Sequence, residues 1–197
     1  MNLGIINTKL KNARIGIAGV GGLGSNCAVA LARAGIGFLR IIDFDTVSKS
    51  NLNRQYFFRQ QIGFSKVDAL KDTLHRINAK VHVENINKKL DSNNVPSLFD
   101  DIDIIIEALD EAVEKKKFIE TCLLHFPNKP IVSGMGIASW GNSNTLKVSQ
   151  FENLYICGDM KTEVTEDILP YAPRVAIVAN MQANTVLEIL LDEKKAK

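Results

Sequence analysis

The segment Gly19-Val20-Gly21-Gly22-Leu23-Gly24 fits G-x-G-x-x-G, between a β-branched run and a helical one. Glycine at these spacings permits a tight turn, lets phosphate oxygens reach the backbone, and lets helix and strand pack closely. The N-terminus of the following helix offers free N–H groups and a partial positive charge to an anion. Asp43 closes the next β-branched run about 20 residues on, where an acid accepts hydrogen bonds from ribose hydroxyls. The chemistry implied is nucleotide binding. The motif alone does not separate NAD from ATP, and by itself favours a dehydrogenase. A glycine turn with only a packing role is the plainer alternative.

The residues beyond Asp43 change the ranking. Asp43-Phe44-Asp45-Thr46-Val47 and Ser50-Asn51-Leu52-Asn53-Arg54-Gln55 put acids, amides and an arginine just past a strand's C-terminal end. That is the rim where doubly wound sheets bind ligands. Lys66 falls in the first turn of the next helix, against the helix dipole. In isolation it reads equally as a solvated surface lysine. With Arg54 it supplies two cations near a phosphate site, more than a pyrophosphate bridge held by backbone N–H groups needs. Glu107-Ala108-Leu109-Asp110 ends another apolar run. Asp110 would face the glycine turn across the crevice, and a carboxylate beside phosphates calls for an intervening cation, for which Mg²⁺ is usual. Its plainer role is to cap the helix that starts at Glu111.

Positioning these residues requires a parallel sheet. Ile15, Ile17 and Val20 mark a first strand, Leu23 to Ala34 a helix stopped by Gly35, and Phe38 to Asp43 a second strand. Asp45 to Gly63 is too long and polar for a plain connector, and its Tyr56-Phe57-Phe58 needs a packing partner. Ser65 opens a helix with Asp68 three residues later, a capping-box pattern, and with Val67, Leu70, Leu74 and Ile77 on one face. Val81 to Ile86 is a third strand, Asn94 to Phe99 a short helix, and Ile102 to Ala108 a mainly apolar fourth strand. Glu111 to Phe126 is helical, with Phe118, Ile119, Cys122, Leu123 and Phe126 on one face, and Ile131 to Ser133 is a fifth strand. Thr145 to Phe151 reads as a strand, Glu152 to Tyr171 as an irregular excursion, and Ala176 to Leu191 as a nearly all-apolar helix. The fold expected is α/β, a doubly wound Rossmann-like domain with a mainly parallel sheet, a C-terminal extension and a crossover loop. One domain is expected over 1–197, with a nucleotide-binding core at 13–137, a strand and crossover loop at 138–174, and a closing helix at 175–191.

Bulk properties narrow the class. The chain has 197 residues, 46% hydrophobic and 23% charged, with a net charge of +2, which suggests neither a nucleic-acid binder nor a membrane-surface protein. Cys27, Cys122 and Cys157 form no C-x-x-C pair and outline neither disulfide framework nor structural zinc site. His75, His82 and His125 are scattered. The start lacks a signal-peptide pattern and no apolar run reaches membrane-spanning length, so the cytoplasm is the expected location.

Together, Gly19 to Gly24, Asp43 to Val47, Ser50 to Gln55 and Gly63-Phe64-Ser65-Lys66 resemble the ThiF/MoeB/HesA family, bacterial relatives of the ubiquitin-activating enzymes. The resemblance runs from about Ala13 to Ile137, and its compact form is most similar to short ThiF-like proteins of thiamine biosynthesis. It implies adenylation, with Mg-ATP, of the C-terminal glycine of a ubiquitin-like sulfur carrier of the ThiS type, ending in Gly-Gly. It implies that Gly19, Gly21, Gly22, Gly24, Asp45, Gln55 and Leu109 meet the nucleotide and Asp43 its ribose. Asn51, Arg54 and Lys66 would contact phosphates and Asp110 would bind Mg²⁺, with Arg54, Lys66 and Asp110 catalytic. It also implies pairing through surfaces that include the closing helix. A homodimer is therefore expected, and no nucleic-acid or membrane partner.

The chain departs from the family pattern in three places. The two C-x-x-C pairs of larger members are missing, so no zinc is expected. No arginine precedes Ala13 to reach a partner subunit's ATP; either Lys9 or Lys11 substitutes, or another basic residue does, or the contribution in trans is absent. The crossover loop has no cysteine at Thr162 to Thr165, leaving Cys157 as its candidate thiol, for a covalent link or as an ordinary loop or packing cysteine. Competing readings are adenylation of another carboxylate, as in tRNA-modifying dehydratases, a non-catalytic nucleotide-binding partner, and an NAD-dependent dehydrogenase.

Overall fold

A computed structural model describes residues 2–192. The chain enters through α1 (Leu3–Asn12), a helix that the sequence pattern does not announce; the Asn2 side chain caps it by accepting from the Ile5 N–H at 2.9 Å. β1 (Arg14–Ala18), α2 (Gly22–Ala34) and β2 (Phe38–Asp43) follow at the expected places, and Gly35 ends α2 with φ 94°. Two short 3₁₀ turns occupy the polar stretch after Asp43, and Phe57 of that stretch is buried. Ser65 caps α3 (Lys66–Ile77) by accepting from the Asp68 N–H, and its hydroxyl bonds the Asp68 carboxylate at 2.6 Å. β3 (His82–Asn87), α4 (Val95–Phe99), β4 (Ile104–Glu107), α5 (Ala112–His125) and β5 (Ile131–Met135) complete the alternating part.

The strands form a seven-stranded sheet in the order β3-β2-β1-β4-β5-β7-β6. All neighbours are parallel except β6 (Lys147–Phe151) against β7 (Leu154–Gly158). From β1 the chain steps outward to β2 and β3, then returns to place β4 on the other side of β1. The topological switch point therefore lies between β1 and β4, where doubly wound sheets open a ligand crevice. β1 explains why this interior forms. Ile15 and Ile17 point into one apolar layer and Ala18 into the other. The larger layer packs α2, α3 and α6 (Ala172–Leu191) on one face, with Leu10 of α1 at its margin. The smaller packs α4 and α5 on the other through Val95, Phe99, Phe118 and Cys122.

Three details differ from the expectations raised by the sequence. Glu152 to Tyr171 is not wholly irregular: β7 lies inside it, hairpinned to β6 through Glu152-Asn153, with Glu152 at φ 52°. The irregular part comes after β7, and α6 starts at Ala172. On α5, Phe118 and Cys122 are buried while Leu123 is 36% exposed, because α4 and the sheet cover a narrower stripe than expected. On α6, Val175, Val178, Ala179, Ala183, Val186 and Ile189 face the protein's own core. Most of its apolar surface is thus covered within the chain, and only a stripe with Ile177 faces outward. No helix of the described residues is long and apolar enough to cross a membrane.

At the N-terminal end of the sheet, Arg40 is largely buried and lies between Glu84 and Asp101, 2.7 and 2.5 Å away, while Asp101 also meets Arg14. The Arg40 guanidinium holds the Asp101 carboxyl at about 2, below its ordinary value. A depressed carboxylate pKa adds stability above the unfolded value, near 4, that is lost as pH falls through the folded one. Asp101→Asn should therefore cost on the order of 1 kcal/mol at pH 7, allowing for screening of a half-exposed group. The difference from the parent should shrink between about pH 4 and pH 2. Urea unfolding across that range checks it; a difference independent of pH would contradict the assignment.

Candidate nucleotide-binding site

The glycine turn sits where β1 ends against β4. Gly19 has φ 84°, and a Cβ there would lie 2.8 Å from the carbonyl oxygen of Ala108. At Gly24 a Cβ would collide with the Gly19 carbonyl oxygen. The first turn of α2 is therefore drawn down onto the strand it follows. No side chain caps this helix, and the N–H groups of Gly21 to Gly24 meet no acceptor among the described residues. Such a terminus is built to receive an anion.

A chain of hydrogen bonds runs from the turn to the first cation. The Val20 N–H donates to Asp43 Oδ2 at 2.8 Å, and Asp43 Oδ1 accepts from the Asp45 N–H at 2.9 Å. Asp45 Oδ2 then meets Lys66 Nζ at 2.6 Å, and the Lys66 N–H donates to the Asp45 carbonyl. Lys66 is only 5% exposed, so the surface-lysine reading is wrong. Desolvating an ammonium without a partner costs several kcal/mol, and Asp45 supplies the partner.

The second cation is held from α2. Asn26 Nδ2 donates to the carbonyls of Gly22 and Arg54, and Ser25 Oγ accepts from the Tyr56 N–H while donating to the Gly21 carbonyl. These bonds pin residues 54–56 over the turn, so that the Arg54 side chain lies 3.7 Å from where a Gly22 Cβ would stand. The Arg54 guanidinium rests on Asn53 Oδ1 and the Ser50 carbonyl. Gln55 lies beside Gly21, and its Oε1 is buried with no hydrogen-bond partner. An orphaned buried acceptor in a crevice is a place for a ligand donor. Asn51 is partly exposed, its Oδ1 accepting from the Ser48 N–H of its own 3₁₀ turn.

Across the crevice, Leu109 is half-buried, with its side chain against Gly19. Asp110 is exposed and makes no hydrogen bond or ion pair among the described residues. It does not cap α5: the cap position is Glu111, with no side-chain bond. Hydrogen bonds and close contacts thus link the glycines to Asp43, Asp45, Lys66, Arg54, Gln55 and Leu109 at the switch point, with Asp110 next along the chain. Sequence reasoning missed Ser25, Asn26 and the buried Glu107 behind Leu109. The polar Ser25-Asn26 pair early in an otherwise small and apolar helix was the available signal.

Cys157 is not in the crossover loop. It lies on β7, fully buried, 3.6 Å from Thr185 Oγ1, and burial pushes its thiol up to about 11. A nucleophilic cysteine needs a lowered pKa and access, so this one has neither. Among the described residues, no three of His, Cys, Asp and Glu converge as a metal site.

A doubly wound sheet with an uncapped helix terminus, two cations and a free carboxylate at its switch point defines a Rossmann-like nucleotide-binding protein. Comparison with known proteins gives the family. The ThiF family model matches residues 6–197, and the chain belongs to that family. Molybdopterin-synthase adenylyltransferase of Escherichia coli K12 is 30% identical over 188 residues, covering 92% of this chain and 74% of that protein. Adenylyltransferase and sulfurtransferase MOCS3 of Culex quinquefasciatus is 34% identical over 130 residues, covering 66% of this chain and 29% of that protein. In class the chain is, like these relatives, an adenylyltransferase. In fold it is similar to the E. coli tRNA N6-threonylcarbamoyladenosine dehydratase TcdA solved in complex with ATP. The TM-score is 0.87 at 20% identity, over 98% of this chain and 91% of that one.

The burial of Cys27, Cys122 and Cys157 predicts that none reacts with iodoacetamide at pH 8 in the folded protein and all three do in denaturant. Mass spectrometry of the alkylated chain checks this; rapid native labelling of Cys157 would restore it as a candidate nucleophile.

Proposed function

We propose that this chain adenylates the C-terminal glycine carboxylate of a ubiquitin-fold sulfur carrier ending in Gly-Gly, using Mg-ATP and releasing pyrophosphate. The observation that carries this reading is the pair of cations, buried Lys66 and turn-facing Arg54, beside an uncapped helix N-terminus and opposite the free Asp110. A dinucleotide needs the helix terminus alone; a triphosphate needs the cations as well.

In this mechanism the glycine turn binds phosphate oxygens through backbone N–H groups. Asp43 orients the ribose as well as the turn, and Gln55 Oε1 accepts a ligand donor. Asn51 and Asp45 line the phosphate end, and Leu109 packs on the nucleoside. A carrier carboxylate oxygen attacks the α-phosphorus, the bond to the β-phosphate oxygen breaks, and pyrophosphate leaves with the acyl-adenylate in place. Arg54 and Lys66 stabilise the charge that grows on the transferring oxygens and the leaving group, so the protein supplies no nucleophile. Lys66 exchanges part of its contact with Asp45 for phosphate. Mg²⁺ binds through one or two carboxylates and substrate phosphates, and a single unpaired Asp110 fits that donor set. When bound, the ion neutralises phosphate charge.

The carrier is taken to be of the ThiS type and the role to be in thiamine biosynthesis, on the sequence resemblance. The Escherichia coli relative is named for molybdopterin synthase, so carriers of both kinds belong in the test. The fold likeness to a tRNA dehydratase motivates adenylation of a tRNA-borne carboxylate as the second reading. Against it stand the small net charge and the acidic Glu163, Glu166 and Asp167 after β7. The reading includes a homodimer in the cytoplasm. A groove of about 490 Å³ between α6 and β6, lined by Val148, Pro173, Ile177 and Met181, supports pairing there.

Pyrophosphate should exchange into ATP only when a Gly-Gly carrier is present; carrier-independent exchange, or none with any such carrier, would sink the proposal. Lys66→Met, Arg54→Ala and Asp110→Asn should each lower the exchange rate roughly a hundredfold, about 3 kcal/mol in the transition state. Circular dichroism should show each variant folded. For pairing, Ile177→Asp should convert a dimer to a monomer in sedimentation equilibrium, and an unchanged mass would place the interface elsewhere.

A further inference from the structure

β4 ends in a carboxylate with no solvent exposure at all, and every one of its bonds leads to another element or to its own following turn. Glu107 Oε2 meets Lys115 Nζ of α5 at 2.5 Å and accepts from Ser133 Oγ of β5 at 2.6 Å. Oε1 turns forward and accepts from the Leu109 N–H at 2.8 Å. The Glu107 carbonyl accepts from Gln182 Nε2 of α6, which also donates to the Val132 carbonyl. Lys115 adds a bond to the Gly134 carbonyl. A buried ion pair is a poor device for stability alone, since apolar residues of similar volume often do as well. This one instead spends an oxygen on a backbone N–H two residues ahead, inside the turn that carries Asp110.

Asp110 needs such support. It has no partner of its own among the described residues and lies beyond the last ladder bond of β4, Ala108 N–H to the Ala18 carbonyl. Without the Glu107 bond, the Leu109 N–H would lose its acceptor and the turn its fixed direction. We propose that Glu107 is a positioning residue. Held by Lys115, Ser133 and Gln182, it fixes the Leu109-Asp110 turn so that the Asp110 carboxylate faces the phosphates across the crevice. The inference rests on the reading of Asp110 as the metal-binding carboxylate, and extends the site to residues on β5, α5 and α6 that touch no ligand.

A double-mutant cycle read by calorimetry tests it, with ATP binding measured in the presence of Mg²⁺ and again with EDTA. Glu107→Leu together with Lys115→Met removes the acceptor and the cation it balances, leaving no unpaired buried charge. In the native background, Asp110→Asn should weaken Mg-ATP binding about tenfold without weakening metal-free ATP binding, since it removes a negative charge from beside the phosphates. In the E107L/K115M background, the same D110N change should alter Mg-ATP binding less than about threefold, with metal-free binding again not weakened. Ser133→Ala keeps all charges and should give a smaller loss of the same kind, should the double variant fail to fold. A tenfold effect of D110N that survives in E107L/K115M, or in S133A with no change in Mg-ATP affinity, overturns the positioning role alone. No effect of D110N in the native background overturns the metal-site reading and the inference with it.

Discussion

The close approach of Gly24 to the Gly19 carbonyl is the constraint on which the rest of the site depends. No side chain fits between them, so the first turn of α2 lies directly on the end of β1. That contact aims the unpaired N–H groups of Gly21 to Gly24 at the opening between β1 and β4. It also sets where Ser25 and Asn26 stand, and through them where Arg54 lies over Gly22. A wider helix–strand spacing would move the anion site and its arginine together.

Charge at this end of the sheet is managed by pairing each buried ion with a neighbour from elsewhere in the chain. Lys66 has Asp45, Glu107 has Lys115, and Arg174 has Asp159, with most remaining polar atoms bonded to backbone or hydroxyl groups. In a low dielectric an unpaired ion would cost more than these contacts return. Asp110 has no such partner among the described residues, and the Arg54 guanidinium meets only the neutral Asn53 Oδ1 and Ser50 carbonyl. Protein-internal pairing thus sets the ions that already hold a buried partner apart from those without one.

The alternating α/β order, the glycine turn and the capped start of α3 were legible because each rests on local spacing. β7 was not. Its five residues lie between a tight turn at Glu152 and an irregular segment after Gly158, and only pairing with β5 and β6 makes them a strand. Missing that strand carries Cys157 into a loop when it lies in the core. Lys66 was readable as a residue of the site but not as a buried one, because its partner is 21 residues earlier. Glu107 was visible only as the last acid of an apolar strand; its partners lie on three other elements and in its own turn.

Sequence alone determined that this chain builds a parallel sheet with a phosphate-type glycine turn, and it named the acids and cations grouped with that turn. These depend on residue type and short spacing, which backbone sterics and helix termini translate directly into shape. Tertiary structure decided which of those charges are buried and already paired, which remain free, and that the thiol nearest the crossover loop is sealed in the core. It also brought Glu107, Lys115, Ser133 and Gln182 together behind the crevice. Desolvation and pairing depend on what the sheet order sets side by side, and that order is written in no single stretch of residues.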